Sequence, residues 1–262
     1  MERRKEFFSI VAFICGALVI CFLTFPLLKM FTSSSLGNLV FTLRDKEVLE
    51  SIWRSLYTAF IAGLISFLVG TPFAYLLARR DFFGKKIIES VIDLPMVIPH
   101  PVVGIAILSV VGKDYWFGRV LSGLGIRVMG SILGIVVVLT FVGMPFYINS
   151  AKNGFKSVPS RLEKVSRSLG ASFFSTFLQV TFPLAWKSML VGVIMCCARA
   201  ISEFGAVVVV AYHPMVAPVL IYERFEAYGL SYSQPVAVLL TLFCLVLFLI
   251  LRIFSMPESV KR

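Results

Sequence analysis

The stretch RLEKVSRSLGASFFSTFLQVTFP, residues 161–183, is a long polar interruption between two strongly apolar runs. Four of its residues fall at the helical spacing i, i+3, i+4 and i+7 and form a narrow, weakly apolar stripe: Leu162, Val165, Ser166 and Leu169. Gly170 follows at the position where a helix end is expected. A helix this polar cannot cross a bilayer, so its stripe must be buried against either the membrane surface or a partner protein.

The composition of the whole chain excludes a soluble protein. Of its 262 residues 58% are hydrophobic and 15% are charged, whereas soluble domains have about 25% charged residues. The mean hydropathy is +0.92, and several runs reach the roughly 20 apolar residues that span a hydrocarbon core. Six membrane spans are predicted, at residues 7–31, 52–78, 87–111, 129–150, 186–211 and 235–254.

Basic residues bracket these spans and predict their orientation. Six spans place both termini on one side, which then holds sixteen Lys and Arg residues against eight on the other. Because such an excess marks the cytoplasmic face, both termini and the 151–185 loop are expected in the cytoplasm. The net charge of +11 is therefore attributed to anionic lipid headgroups rather than to nucleic acid. All five cysteines lie in predicted spans, so no external disulfide is expected.

The polar stretch also carries a motif: a glycine, then nine residues of any type, then four mostly apolar residues of which the last is proline. The positions that keep this spacing are Gly170, Val180, Phe182 and Pro183. Here the chain resembles the permease subunits of ABC importers, whose cytoplasmic loop reads EAA, three residues, Gly, nine residues, I-x-L-P. The EAA part is degraded to Lys164, Val165 and Ser166, and the acidic residue stands one place early, at Glu163.

The resemblance implies that this loop is a coupling helix seated in a groove of an ATPase subunit. The residues expected to couple the two subunits are Leu162, Glu163, Val165, Ser166, Leu169, Gly170 and Pro183.

Proline clusters predict breaks in the membrane helices. Residues 93–101, DLPMVIPHP, hold three prolines that a regular lipid-facing helix cannot accommodate. Broken backbone at membrane depth is tolerated where protein or a water-filled cavity covers it, so this segment either lines a transport path or kinks a buried helix. The path candidates are Pro95, Pro99, His100 and Pro101. Gly143 and Pro145 predict a second break, and residues 217–225 a re-entrant or interfacial segment.

The fifth predicted span contains an arginine and a glutamate, Arg199 and Glu203, four residues apart on one helix face. Ionisable groups at this depth are costly unless they are paired or face a cavity. The pair is therefore either a structural lock or part of a path or gate, together with the nearby Ser202 and Gly205. The two histidines, His100 and His213, each precede a proline and are interpreted as isolated turn residues.

The same region carries a second resemblance. Residues 198–225, ARAISEFGAVVVVAYHPMVAPVLIYERF, and residues 98–106, IPHPVVGIA, resemble permeases of the molybdate/tungstate importers. A sulfate/thiosulfate-type ABC permease is the alternative within this architecture. A secondary transporter is disfavoured because the breaks form no matched pair in two halves. An intramembrane lipid enzyme is disfavoured because no nucleophile–base set stands out.

The expected fold is an all-α, polytopic membrane protein with six transmembrane helices and the type I permease fold of ABC importers. Residues 1–262 are expected to form a single transmembrane domain, with an N-terminal helix and external loop over 1–50 and a core permease domain over 51–255. The resemblance implies two copies of this permease in the cell membrane, with lipid around them, two copies of an ATPase subunit, and an external substrate-binding protein.

No phosphate-binding loop and no HExxH or CxxC motif is present, so neither catalytic residues nor a metal or other cofactor is expected on this chain. ATP and Mg would bind to the partner ATPase.

Overall fold

The computed structural model describes residues 2–255, and the side chains of residues 8–249. Within that part of the chain all regular structure is helical, as predicted. The elements are α1 (Glu2–Ser33), α2 (Leu36–Arg44), α3 (Lys46–Arg79), α4 (Lys85–Val97), α5 (His100–Val111), α6 (Trp116–Gly123), α7 (Ile132–Ser157), α8 (Ser160–Ser168), α9 (Phe173–Thr176), a π-helical turn (Phe177–Thr181), α10 (Phe182–Ile201), α11 (Gly205–Val210), α12 (Ala217–Tyr228) and α13 (Leu230–Ser255).

Five stretches of the described chain are long and apolar enough to cross a membrane: Phe8–Ser33, Lys46–Arg79, Ile132–Ser157, Phe173–Ile201 and Leu230–Leu249. A sixth is possible if α4 and α5 form one span, and these two helices are bent by 113° at the break between them. The protein is therefore a multi-pass membrane protein, and the break predicted from the prolines of residues 93–101 is confirmed.

Several helices end at residues other than the predicted span ends, because polar residues extend some of them beyond the apolar core and one helix stops short of it. The loop predicted over residues 32–51 is mostly helical, since Asp45 caps α3 by accepting a hydrogen bond from the N–H of Glu47 at 3.0 Å. The predicted loop over 151–185 shrinks to residues 158–172. The predicted fifth span ends early, because its helix stops at Ile201 and the chain restarts as α11.

The break predicted at Gly143 and Pro145 is also wrong, because α7 runs through both residues. Gly143 instead permits close helix packing. A Cβ atom at this position would lie 2.6 Å from Sγ of Cys196 on α10. Small residues are used in this way wherever membrane helices approach closely.

Helices α3, α7 and α10 pack against one another and form the centre of the molecule. One core cluster lies around α3, α7, α11 and α12, and a second surrounds Tyr147 and Phe155. By contrast, the apolar part of α1 is exposed within this single chain. One of its few links to the rest is a hydrogen bond of 2.8 Å from Nε2 of Gln234 to the carbonyl of Met30.

Candidate functional site

Two helix breaks meet in the membrane-spanning part of the structure. One lies between α4 and α5, at residues 98–99, and the other between α10 and α11, at residues 202–204. Helices α5 and α11 pack so closely that a Cβ atom on Gly205 would lie 2.9 Å from Cβ of His100. A Cβ atom on Gly104 would likewise lie 2.8 Å from Cβ of Val209. Glycine is therefore required at both contacts.

Three ionisable side chains join these breaks. Nη2 of Arg199 donates a hydrogen bond to Oε2 of Glu203 at 2.7 Å, and the same nitrogen lies 2.7 Å from Nε2 of His100. The other carboxylate oxygen of Glu203 accepts the backbone N–H of Ala206 at 2.9 Å, at the start of α11. A further contact of 3.3 Å joins Nη1 of Arg199 to Oγ of Ser202.

The predicted pair of Arg199 and Glu203 is confirmed, but not as two residues on one continuous helix. Glu203 lies beyond the end of α10, and its carboxylate holds the first turn of α11 by accepting the N–H of Ala206. The interpretation of His100 as an isolated turn residue is wrong, since its ring lies 3.4 Å from the Glu203 carboxylate. Sequence reasoning missed this link because the two residues are about 100 positions apart in the chain.

The cluster is buried on one side and open on the other. The side chain of Glu203 is 1% exposed, whereas that of His100 is 42% exposed. Pro99 and Pro101 begin α5, where a missing N–H costs nothing, and Pro95 is buried inside α4. The arrangement offers hydrogen-bond donors from Arg199 beside a fixed carboxylate, which is a chemistry suited to transient contact with an anion.

The second candidate surface is α8. Its helix ends at the predicted glycine, since Gly170 has φ of 91° and donates a hydrogen bond to the carbonyl of Arg167 at 3.0 Å. The predicted stripe is present, and its apolar members Leu162, Val165 and Leu169 are all exposed. Leu169 is 84% exposed. The residues that the structure describes therefore leave the apolar face of α8 largely uncovered.

Glu163 points away from that face and into its own chain. Its Oε1 accepts hydrogen bonds from Nε and Nη2 of Arg79 at 2.9 and 2.7 Å, and from Oγ1 of Thr181 at 2.8 Å. The hydroxyl of Tyr75 lies 3.4 Å from Oε2. Both charged side chains are 14% exposed. This contact, which we call the α8 staple, ties α8 to the end of α3 and to the start of the next membrane helix.

The α8 staple was not predicted, although the sequence contained a signal for it. The acidic residue stands one place before the position at which the motif has it, and one residue turns a helical side chain by about 100°. Ser166 also faces inward, with its hydroxyl 3.0 Å from that of Thr176. A π-helical turn follows at Phe177–Thr181, a feature often found at functional sites. Pro183 is exposed in the first turn of α10.

Comparison with known proteins agrees with this architecture. A family model described as binding-protein-dependent transport system inner membrane component matches residues 70–256. The chain is 43% identical to a molybdate/tungstate transport system permease protein of Pyrococcus furiosus, over 95% of this chain and 96% of that protein. The corresponding protein of Methanocaldococcus jannaschii is 42% identical, over 95% and 98%. A sulfate transport system permease protein of Synechocystis sp. is 33% identical, over 76% and 71%.

A solved structure has the same fold. The chain aligns with a bacterial ABC transporter involved in the import of the polysaccharide alginate, with a TM-score of 0.75, 15% identity and 98% coverage of both chains. At this identity the likeness concerns the fold alone, and it confirms the predicted permease fold.

Proposed function

This chain belongs to the family of binding-protein-dependent transport system inner membrane components, and from that premise we propose that it is the permease subunit of an ATP-driven importer of molybdate and tungstate. The assignment of the substrate rests on an identity above 40% to molybdate/tungstate permeases over almost the whole of both chains. The sulfate alternative is less supported, since the identity to the sulfate permease of Synechocystis sp. is lower and covers less of either chain.

A separate ATPase subunit supplies the energy in this proposal. It binds the exposed apolar face of α8, formed by Leu162, Val165 and Leu169. Covering these side chains removes apolar surface from water, which favours docking. Glu163 does not touch the ATPase but acts as a positioning residue, because the α8 staple transmits a displacement of α8 to α3. The excess of basic residues supports a cytoplasmic location for α8 and for both termini.

The transport path is proposed to pass the junction of the two helix breaks. Arg199 and His100 offer donors to a passing oxyanion, while Glu203 keeps the site from holding the anion tightly. Weak contacts suit a path, since a deep binding minimum would slow release. Two copies of the chain with two ATPase subunits and one external binding protein would complete the importer, and delivery by that protein would set much of the selectivity.

Co-purification and uptake test this function. The full-length chain, expressed with its candidate ATPase and binding protein, is expected to purify with the ATPase and to support ATP-dependent uptake of tungstate and molybdate into proteoliposomes. A complex whose ATPase cannot hydrolyse ATP serves as the control. Uptake that does not depend on ATP would contradict the energy source, and a preference for sulfate would contradict the substrate.

Paired substitutions test the path. Arg199→Met or Glu203→Leu alone leaves an unpaired charge in the membrane, and each is expected to cost about 3–5 kcal/mol of stability. The double variant is expected to recover assembly, because packed apolar residues often replace a buried pair without loss. Its tungstate uptake should recover only in part. Full recovery of uptake would remove both residues from the path, and assembly as poor as in the single variants would contradict simple pairing.

A further inference from the structure

A cavity of about 760 Å³ lies at the other end of α5 from the helix-break junction, between the end of α5, helix α6 and the segment before α7. Three basic residues line it, namely Lys113, Arg119 and Arg127, together with Ser122 and the backbone of residues 125–130. No Asp or Glu lines it. The volume is many times the roughly 30 Å³ of a water molecule, so the cavity has room for a polyatomic ion or a headgroup.

The three cations of this cavity have no ion-pair or hydrogen-bond partner among the side chains that the structure describes. Three other basic residues on the same predicted side of the membrane form ion pairs: Lys46 and Arg54 with Glu50, and Arg224 with Asp45. The three basic side chains are exposed and can turn towards a common ligand. Their charges repel one another across the cavity, and a bound anion would relieve that repulsion.

The frame of the cavity is fixed by close backbone packing. Gly118 of α6 lies against the end of α5, where a Cβ atom would overlap the carbonyl groups of Val111 and Gly112. The N–H of Gly130 donates to the carbonyl of Val210 at 3.1 Å, which holds the opposite wall to α11. A cleft lined by charge of one sign focuses the electric field and concentrates ions of the opposite sign.

We propose that this cavity binds a doubly or singly charged tetrahedral oxoanion group. The group has two possible sources with the same chemistry: a free inorganic dianion, or the phosphate of an anionic lipid headgroup. The exposed aromatic residues Tyr115, Trp116 and Phe117 stand in the chain between Lys113 and Arg119 of the cavity lining, and such residues are typical of headgroup depth. The site lies apart from the path residues, and its occupancy does not require transport.

Binding to the full-length chain, purified in uncharged detergent without added lipid, tests the proposal. The protein has three tryptophans, so Trp53→Phe and Trp186→Phe leave Trp116 of α6 as the only indole reporter. Sodium tungstate, molybdate and sulfate are titrated as free dianions. Phosphatidylglycerol in mixed micelles is titrated as the lipid source, with phosphatidylcholine as the zwitterionic comparison.

A saturable change in Trp116 fluorescence is expected, weakening as ionic strength rises. Each change to Gln at Lys113, Arg119 or Arg127 should raise Kd roughly fivefold, and the triple variant about 100-fold. These side chains are exposed, so the variants are expected to fold, which circular dichroism and gel filtration check. Arg44→Gln is the matched control, since Arg44 is an exposed arginine of the same predicted side that does not line the cavity.

The outcomes separate the sources and the proposals. Saturation by a free dianion but not by phosphatidylglycerol assigns a free dianion. Saturation by phosphatidylglycerol but not by phosphatidylcholine assigns a lipid phosphate. Binding is measured on the permease chain alone, without ATP, ATPase or uptake, so failure of the transport path and failure of this site can be told apart. No saturable binding, or an equal loss in the Arg44→Gln variant, would overturn the assignment.

Discussion

Replacing Glu163 by glutamine tests whether the α8 staple positions α8. The amide keeps the shape of the carboxylate and can still accept hydrogen bonds, but it removes the charge. In the native chain Oε1 of Glu163 accepts two hydrogen bonds from Arg79 and one from Thr181. The substitution therefore isolates the electrostatic part of the contact from its packing.

The magnitude follows from these bonds. Hydrogen bonds to charged groups contribute about 1.5–3 kcal/mol each, and neutral ones about 0.5–1.5 kcal/mol. The two bonds to Arg79 should each lose roughly 1 kcal/mol or slightly more, giving about 2–3 kcal/mol in all for a contact that is largely buried. That loss corresponds to roughly a 30- to 150-fold increase in the fraction of time that α8 is detached.

Hydrogen–deuterium exchange of the α8 amides measures this detachment directly. Exchange over residues 160–168 should accelerate in the Glu163→Gln variant while α7 and α10 stay protected. Uptake per ATP hydrolysed should fall in the assembled transporter. Glu89→Gln is the matched control, because Glu89 pairs with Lys152 at 3.2 Å and does not touch α8.

Adding Arg79→Gln to Glu163→Gln should cost less than the sum of the two single changes, since both remove the same ion pair and Arg79→Gln additionally loses the hydrogen bond from Nη2 to the carbonyl of Val158. If α8 remains as protected in the Glu163→Gln variant as in the native chain, the reasoning about the staple is wrong.

The other predictions concern packing, helix termination and pH. Gly143→Ala should destabilise the detergent-solubilised protein by about 1–3 kcal/mol in thermal unfolding, because its Cβ would clash with a buried sulfur of α10; Gly16→Ala, with no atom within 4 Å, should not. Gly170→Val should reduce ATPase assembly and uptake more than Gly170→Asn, because a β-branched residue is strained at φ of 91° and asparagine tolerates it; equal effects would contradict this. Burial raises the pKa of Asp45, but the hydrogen bond and charge of Arg224 and the backbone N–H groups outweigh it and hold the net pKa below the ordinary value. The stability from this pair should be fully present above about pH 4 and should fall as pH drops through the lowered pKa. Below that range the melting temperatures of the native chain and the Asp45→Asn variant should converge; a constant difference would refute the linkage.

The sequence alone determined the membrane class, the number of apolar runs and the existence of α8. Each of these depends on residues close together in the chain: the burial of about 20 consecutive apolar residues, the stripe at helical spacing, and a glycine that ends the helix. The family motif was readable for the same reason, since its glycine and proline stand at fixed short distances. The prolines of residues 93–101 also predicted their break correctly, because a missing N–H is a local property.

Only the tertiary structure decided which distant groups meet. His100 of α5 meets Arg199 although the two are 99 residues apart, and Arg79 holds Glu163 inward across 84 residues. Gly143 and Pro145 looked like a break because the sequence does not show that α10 packs against this face of α7 and uses the space at Gly143. Such pairings depend on how helices approach one another, and no local pattern specifies that approach. The membrane spans follow from the transfer of consecutive apolar residues out of water, which is a local property of the sequence. The candidate site follows from contacts between distant segments, which only folding brings together.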